Sequence, residues 1–335
     1  MKSIYILIAL GLYLNPWQFC IVSSNQQFEK YLSFCPGGIW NDTDRRPIEA
    51  HGGGMLYQNG TYYWFGEHGT PGRTKIGVMC YSSKDLYNWK NEGVALPLTH
   101  DDPNHDLAEG CALERPKVIY NAATKKYVMW FHLELKGQGY DTARSGVAVS
   151  SKVTDPYTFV QSFRPNKSMA RDMTLFVDDD GKAYQFYASE DNQTMHVSLL
   201  SDDYLRPSGK FKRIFIGRST EAPAVFKHRG RYYFIGSGCT AYAPNAARSA
   251  VANSIWGSWK ELGNPCIGKN ADKTFLSQGT FVFPVANKPG AFIFMADQWN
   301  VYENKGPRYV WPPIHSDKDR FVIRWMKEWD ISVFD

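Results

Sequence analysis

Thr220-Glu221-Ala222-Pro223-Ala224-Val225-Phe226 sets a single carboxylate in front of a short apolar run. The chain then passes through Lys227-His228-Arg229-Gly230 into Arg231-Tyr232-Tyr233-Phe234-Ile235. Aromatic and β-branched residues on both arms of a Gly-containing turn predict a β-hairpin. The same unit recurs at His51-Gly52-Gly53-Gly54-Met55-Leu56, Glu114-Arg115-Pro116-Lys117-Val118-Ile119, Asp172-Met173-Thr174-Leu175-Phe176-Val177 and Gln278-Gly279-Thr280-Phe281-Val282-Phe283. Each run returns as an aromatic strand, and Asn59-Gly60, Asp180-Gly181, Arg229-Gly230 and Pro289-Gly290 supply the turn chemistry.

Units of several strands repeating every roughly 50–60 residues are the mark of a propeller, with about four strands to a blade. Five units predict an all-β, five-bladed β-propeller. A third set of short strands supports this independently: Gly77–Ser83, Gly146–Ser151, Met195–Ser198 and Ser249–Ala252. The first strand of each blade lines the central channel, so His51, Glu114, Asp172, Glu221 and Gln278 should converge on the axis. Three acids on one axis repel and raise one another's pKa. Such a ring is retained where chemistry or ligand binding uses it, and an enzyme is the first expectation.

Composition narrows the partners. The chain has 335 residues, 43% apolar and 15% aromatic, with a net charge of +5. No Lys/Arg cluster interleaves with aromatics as a nucleic-acid surface would require. Trp and Tyr suit stacking on sugar faces, although propeller hairpins use them too. Lys2 followed by an apolar run from Ile4 to Leu14 reads as an export signal over residues 1–24, too short for a membrane span. The propeller then occupies residues 25–335 of a secreted or periplasmic monomer. Lipid anchoring at Cys20 is the weaker alternative, because Trp17-Gln18-Phe19 are bulky where such sites want small residues. The five later cysteines are odd in number, so at least one is unpaired, and none has metal-ligand spacing. The polar loop 98–112 fits a functional mouth, and the tail from Tyr309 to Trp325 is expected to close the ring onto blade one.

Glycoside cleavage needs one carboxyl kept protonated near neutrality for the departing oxygen and a second group for water. Glu221 is read as that acid, with Asp172 beside it raising its pKa. Glu114 is the preferred activator of water, since a carboxylate needs no unusual tautomer; the structural alternative is a salt bridge to Arg115 or Lys117. In an inverting enzyme the two carboxyls stand roughly 6.5–9.5 Å apart. Gln278, a neutral amide, suits hydrogen bonding to substrate as well as it suits catalysis. His51 could bind substrate or a metal, or simply pack in the channel. Asp178-Asp179-Asp180-Gly181 lacks the alternate spacing of a calcium loop and reads as a hairpin turn. No cofactor or metal is required, and nothing supports a channel calcium ion. No blade ends in the Trp-Asp dipeptide of interaction propellers; Trp329-Asp330 occurs once, in the tail.

At Glu114-Arg115-Pro116-Lys117-Val118-Ile119-Tyr120-Asn121, Arg171-Asp172-Met173-Thr174-Leu175-Phe176-Val177-Asp178 and Glu221-Ala222-Pro223-Ala224 the sequence resembles glycoside hydrolase family 43, whose members are five-bladed inverting enzymes. The resemblance implies that Glu221 is the acid and Asp172 the pKa modulator. It departs at blade one, where Ala50-His51-Gly52-Gly53-Gly54 lacks the usual basic Asp. That departure, with Glu-Arg-Pro-Lys and Ser277-Gln278, resembles the branch of exo-β-1,3-galactanases and related arabinogalactan-acting enzymes. In that branch Gln278 is implicated as a base through its imidic tautomer. Glu67, Tyr140, Asn192 and Thr240 are implied to contact the terminal sugar. An exo-acting galactosidase is therefore the first expectation. An α-L-arabinofuranosidase or β-xylosidase is the second, and a sugar-binding propeller without catalysis the third.

Overall fold

The computed structural model describes residues 30–69, 75–299, 306–317 and 320–335; the signal and Cys20 readings lie outside these residues. Four blades are four-stranded antiparallel sheets in chain order. Their innermost strands are His51–Gln58, Ala112–Asn121, Met173–Val177 and Thr220–His228. Blade five begins with Gln278–Pro284 and Phe292–Gln298, and its outer part is built from the chain's tail. Pro313–Asp317 and Arg320–Arg324 extend it, and Cys266–Ile267 adds a parallel outermost strand. The tail thus pairs into the sheet of blade five, and through Tyr309 and Trp311 it closes the ring against blade one. Each innermost strand packs against those of both neighbouring blades, and the fifth meets the first, so the ring is closed.

Hydrophobic alternation produces one core at each blade interface. Five clusters separate cleanly, including Trp130 with Met173 and Leu175 between blades two and three, and Phe186 with Val225 and Phe234 between three and four. Burying each such side chain contributes about 1.5–3 kcal/mol. The closing seam is the most aromatic: Trp64, Trp89, Trp311 and Tyr309 pack there, and Phe34 pairs its backbone with Trp329. Loop 98–112 contributes no residue to the cavity described below. Its Leu98, Leu107 and Cys111 are buried in the core between blades one and two. Asp178 to Gly181 is a hairpin turn as expected, with Asp178 held by Lys227 and Tyr232, each at 2.6 Å.

One irregularity positions the site. The first and second strands of blades one, two and four slip register just after His51, Glu114 and Glu221. The residue following each has positive φ: Gly52 at 59°, Arg115 at 55° and Ala222 at 53°. A bulge of this kind bends the strand and re-aims the preceding side chain. Close approach also dictates Gly66, where an added Cβ would fall 2.2 Å from the Ala50 carbonyl. No helix among the described residues is long and apolar enough to cross a membrane.

Candidate active site

At one end of the channel a cavity of about 310 Å³ is lined by Glu67, Lys75, Glu114, Arg115, His132, Tyr140, Arg171, Asp172, Asn192, Glu221, Ala241, Tyr242, Gln278 and Trp299. Of the expected residues, Glu114, Asp172, Glu221, Gln278, Glu67, Tyr140 and Asn192 meet there. His51 and Thr240 do not line it. His51 is fully buried, its ring stacked on Trp299 with centroids 5.1 Å apart and Nδ1 3.7 Å from Asp297. Beside Gly52, the residue after it, the space is taken by Glu67 and Arg115: an added Cβ would fall 2.7 Å from Glu67 Oε1 and 3.1 Å from Arg115 N. Thr240 is exposed and spends its hydroxyl on its own loop, donating to Ala243 O at 2.5 Å and accepting from Asn245 at 2.7 Å.

Glu221 is flanked by two amides. Gln278 Nε2 donates to Oε1 at 3.0 Å, and Asn192 Nδ2 approaches Oε2 at 3.3 Å. Burial, reinforced by the negative charge of Asp172, pushes the Glu221 carboxyl up to about 7, against the opposing pull of Arg115. Asp172 does not pair with Arg171. It takes Arg115 Nε at 2.9 Å and the Ala222 N–H at 3.0 Å. Arg171 reaches Tyr140 O and Asp191 instead.

Glu114 pairs with neither Arg115 nor Lys117. His132 Nδ1 lies 3.2 Å from its Oε2, Tyr140 donates to its Oε1 at 2.7 Å, and Lys75 stands 4.0 Å away. Burial alone would raise its pKa, but His132, Lys75 and Tyr140 outweigh that and hold it down to about 2. His132 is itself buried, with Nε2 2.9 Å from Glu134 Oε1. Burial would favour its neutral form; the two flanking carboxylates prevail and raise it to about 9. Glu134 is fixed in turn by Thr142 Oγ1 and the Ala143 N–H, both at 2.7 Å. Lys75 also donates to Glu67 at 2.7 Å, and burial raises the Glu67 carboxyl. Lys117, 1% exposed, donates to Gly52 O at 2.7 Å and ties blade two to blade one.

Ligand-type atoms of Glu114, His132 and Asp172 lie within 4.8 Å of one another. Each already has a partner of its own: Asp172 pairs with Arg115, and His132 stands between Glu114 and Glu134. Seven lining residues escaped the sequence reading as cavity residues: Lys75, Arg115, His132, Arg171, Ala241, Tyr242 and Trp299.

The His132–Glu114 pair predicts a pH signature. A histidine raised from 6.5 to about 9 stabilises the fold fully below 6.5 and loses that contribution as pH climbs through 9. Glu114, lowered from 4.5 to about 2, contributes above 4.5 and loses it as pH falls toward 2. Wild-type melting temperature should therefore decline between pH 7 and 9, and the decline should shrink in His132→Gln. Equal slopes in the two proteins over that window contradict the assignment.

A ring of acids around a sugar-sized cavity, with one carboxyl kept protonated near neutrality and another kept ionised, is the apparatus of a glycoside hydrolase. Comparison with known proteins agrees: the profile of Glycosyl hydrolases family 43 matches residues 49–294, and the chain belongs to that family. A family 43 β-1,3-galactosidase solved with galactodeoxynojirimycin is 46% identical, with a TM-score of 0.85 over 89% of this chain and all of that one. A second β-1,3-galactosidase is 45% identical, with a TM-score of 0.86 over 90% of this chain and 64% of that one. An exo-β-1,3-galactanase from Clostridium thermocellum is 35% identical, with a TM-score of 0.81, covering 88% and 66% of the respective chains. A xylan 1,3-β-xylosidase from Vibrio sp is 22% identical over 194 residues, 55% of this chain and 36% of that protein's length.

Proposed function

We propose that the protein is an exo-acting, inverting glycosidase that releases terminal galactose from β-1,3-galactan and the arabinogalactan chains that carry it. The observation that carries this reading is the Glu221 carboxyl held at about 7 on the wall of a cavity of about 310 Å³. That volume is at the low end for small-molecule sites and suits one sugar ring in place of a threaded chain. Galactose is preferred because the more similar solved structures act on β-1,3-galactosides, whereas the xylosidase is more distant.

In this reading protonated Glu221 gives its proton to the glycosidic oxygen as the bond to the anomeric carbon breaks, with Asp172 keeping the carboxyl from ionising early. Water attacks the oxocarbenium-like centre from the opposite face. Glu114 is too weak a base, at about 2, to deprotonate free water. It need not do so. Once water has bonded to the anomeric carbon the adduct is a strong acid, and a carboxylate at this level accepts its proton. Glu114 remains the preferred acceptor over Gln278, whose Oε1 is capped by Arg115 at 2.5 Å and Trp299 at 3.2 Å. Tyr140, Asn192 and Glu67 line the cavity as sugar contacts. All of these steps use side chains and call for no metal. Export of a monomer, with residues 1–24 as the signal, belongs to the same proposal.

A panel of p-nitrophenyl glycosides together with β-1,3-galactan tests it. Galactose release from both the galactoside and the polymer is expected. Faster cleavage of the α-L-arabinofuranoside or β-xyloside would move the specificity to those sugars. Binding to arabinogalactan without any product would make the protein a sugar-binding propeller.

A further inference from the structure

Arg115 has no part in the steps above, yet the cavity is organised around it. It occupies the bulge of blade two with a φ of 55°, where blades one and four place Gly52 and Ala222. A left-handed backbone is unfavourable for any residue with a β-carbon, and a long charged side chain is an unexpected choice there. Gly52 makes room for it: an added Cβ at that glycine would lie 3.1 Å from Arg115 N and 3.3 Å from its Cα. The side chain is 5% exposed and serves two other blades. Nε donates to Asp172 Oδ1 at 2.9 Å in blade three. Nη2 donates to Gln278 Oε1 at 2.5 Å, and Nη1 to Gly279 O at 3.0 Å, both in blade five.

These bonds decide what Gln278 is. Its Oε1 faces the guanidinium and the Trp299 indole N–H, neither of which can accept a hydrogen. An oxygen so placed cannot carry a proton, and a flipped amide would set NH₂ against two donors. Gln278 is therefore a neutral amide whose Nε2 hydrogens go to Glu221 Oε1 at 3.0 Å and Ser237 Oγ at 2.9 Å. Both Glu221 oxygens face an amide; Oε1 takes the closer one, Gln278 at 3.0 Å, and Oε2, 3.3 Å from Asn192 Nδ2, is the oxygen we assign the acidic proton. Asp172, neutralised by the same arginine, holds the backbone N–H of Ala222, the residue after Glu221.

We propose that Arg115 is a positioning residue for the glycosidase reaction, fixing Gln278 as an amide donor to Glu221 and holding Asp172 against the adjoining backbone so that the acid presents Oε2 to the leaving group. The proposal rests on Glu221 being the acid and not on which sugar is cleaved. Charge and geometry are separable. The ionisable groups acting on Glu221 are Asp172, Arg115 and Cys239. Those acting on Arg115 are Asp172, Glu221 and Asp297, with buried Lys117 alongside. The positive charge of Arg115 opposes the rise of the Glu221 carboxyl. Deleting that charge moves the alkaline limb of activity upward, and keeping it leaves the limb in place.

The test is the pH dependence of kcat and KM for wild type, Arg115→Lys and Arg115→Met on β-1,3-galactobiose, with melting curves alongside. Lysine keeps the charge but is a single point donor without the planar fork that spans partners in blades three and five. In Arg115→Lys, kcat should fall on the order of 10²-fold, with KM changed only a few-fold, the alkaline limb in place and melting retained. Arg115→Met should lose at least as much and shift the limb upward. A near-wild-type kcat in Arg115→Lys overturns the proposal, as does an Arg115→Met limb that does not move. Should Arg115→Met fail to fold, Arg115→Lys decides alone. If wild type leaves galactobiose intact, the substrate reading fails instead, and the same variants are compared on whichever glycoside wild type cleaves.

Discussion

Glu221→Gln should reduce kcat on β-1,3-linked galactosides by roughly 10²–10⁴-fold, the range of a lost general acid. The variant keeps the shape and the amide contacts of the carboxyl while removing its proton. The effect should therefore shrink on aryl galactosides whose leaving group departs without protonation. Wild-type activity needs the protonated form and should fall as pH rises through about 7, where burial and Asp172 have placed this group. In the variant that limb should disappear. Stability should move the other way. A carboxyl raised from 4.5 to about 7 costs the fold stability as pH rises across that interval, because its charged form is buried beside another acid. Glu221→Gln should then melt above wild type at alkaline pH. An unaltered alkaline limb in the variant would remove Glu221 from the acid's role.

Glu114→Gln is expected to lower kcat by about 10²-fold or more, within the range of a lost proton acceptor. The change also leaves the His132 cation with Glu134 as its remaining carboxylate. Azide separates the two effects, since it attacks the anomeric carbon without needing to lose a proton. Azide should accelerate Glu114→Gln and yield the α-galactosyl azide, while doing nothing for Glu221→Gln on poor leaving groups. If azide instead rescues Gln278→Ala and not Glu114→Gln, the water is handled by the glutamine.

The repeat made the fold and most of the acid ring legible before any coordinates. Glu114, Glu221 and Gln278 occupy like positions in their blades because each stands within the first three residues of its innermost strand, and a five-fold recurrence of a polar residue before an apolar run is visible in one dimension. The positions opposite them across each hairpin were equally regular, yet of these only Glu67 was singled out, and by resemblance. Glu67 pairs with His51, His132 with Glu114, Ser237 with Glu221 and Asp297 with Gln278. Each is the polar residue near the end of the returning aromatic strand, so counting back across the turns would have found His132. Arg115 was hidden for a different reason. Its neighbour in sequence is an acid, but the bulge turns the two side chains apart, and the arginine finds its partners in blades three and five. Lys75 and Trp299 come from segments outside the innermost hairpins, where no period points to them. His51 misled because it holds the right register while Gly52 beside it leaves the axis to Glu67 and Arg115.

The account turns on carboxyls from separate blades acting on opposite faces of one sugar. Proton NMR of the product in the first minutes of β-1,3-galactobiose hydrolysis reads this directly, before mutarotation blurs the anomers. The α-anomer of galactose should appear first from the cleaved end. Initial release of the β-anomer would mean a nucleophile in place of water and would contradict the roles proposed for Glu221 and Glu114.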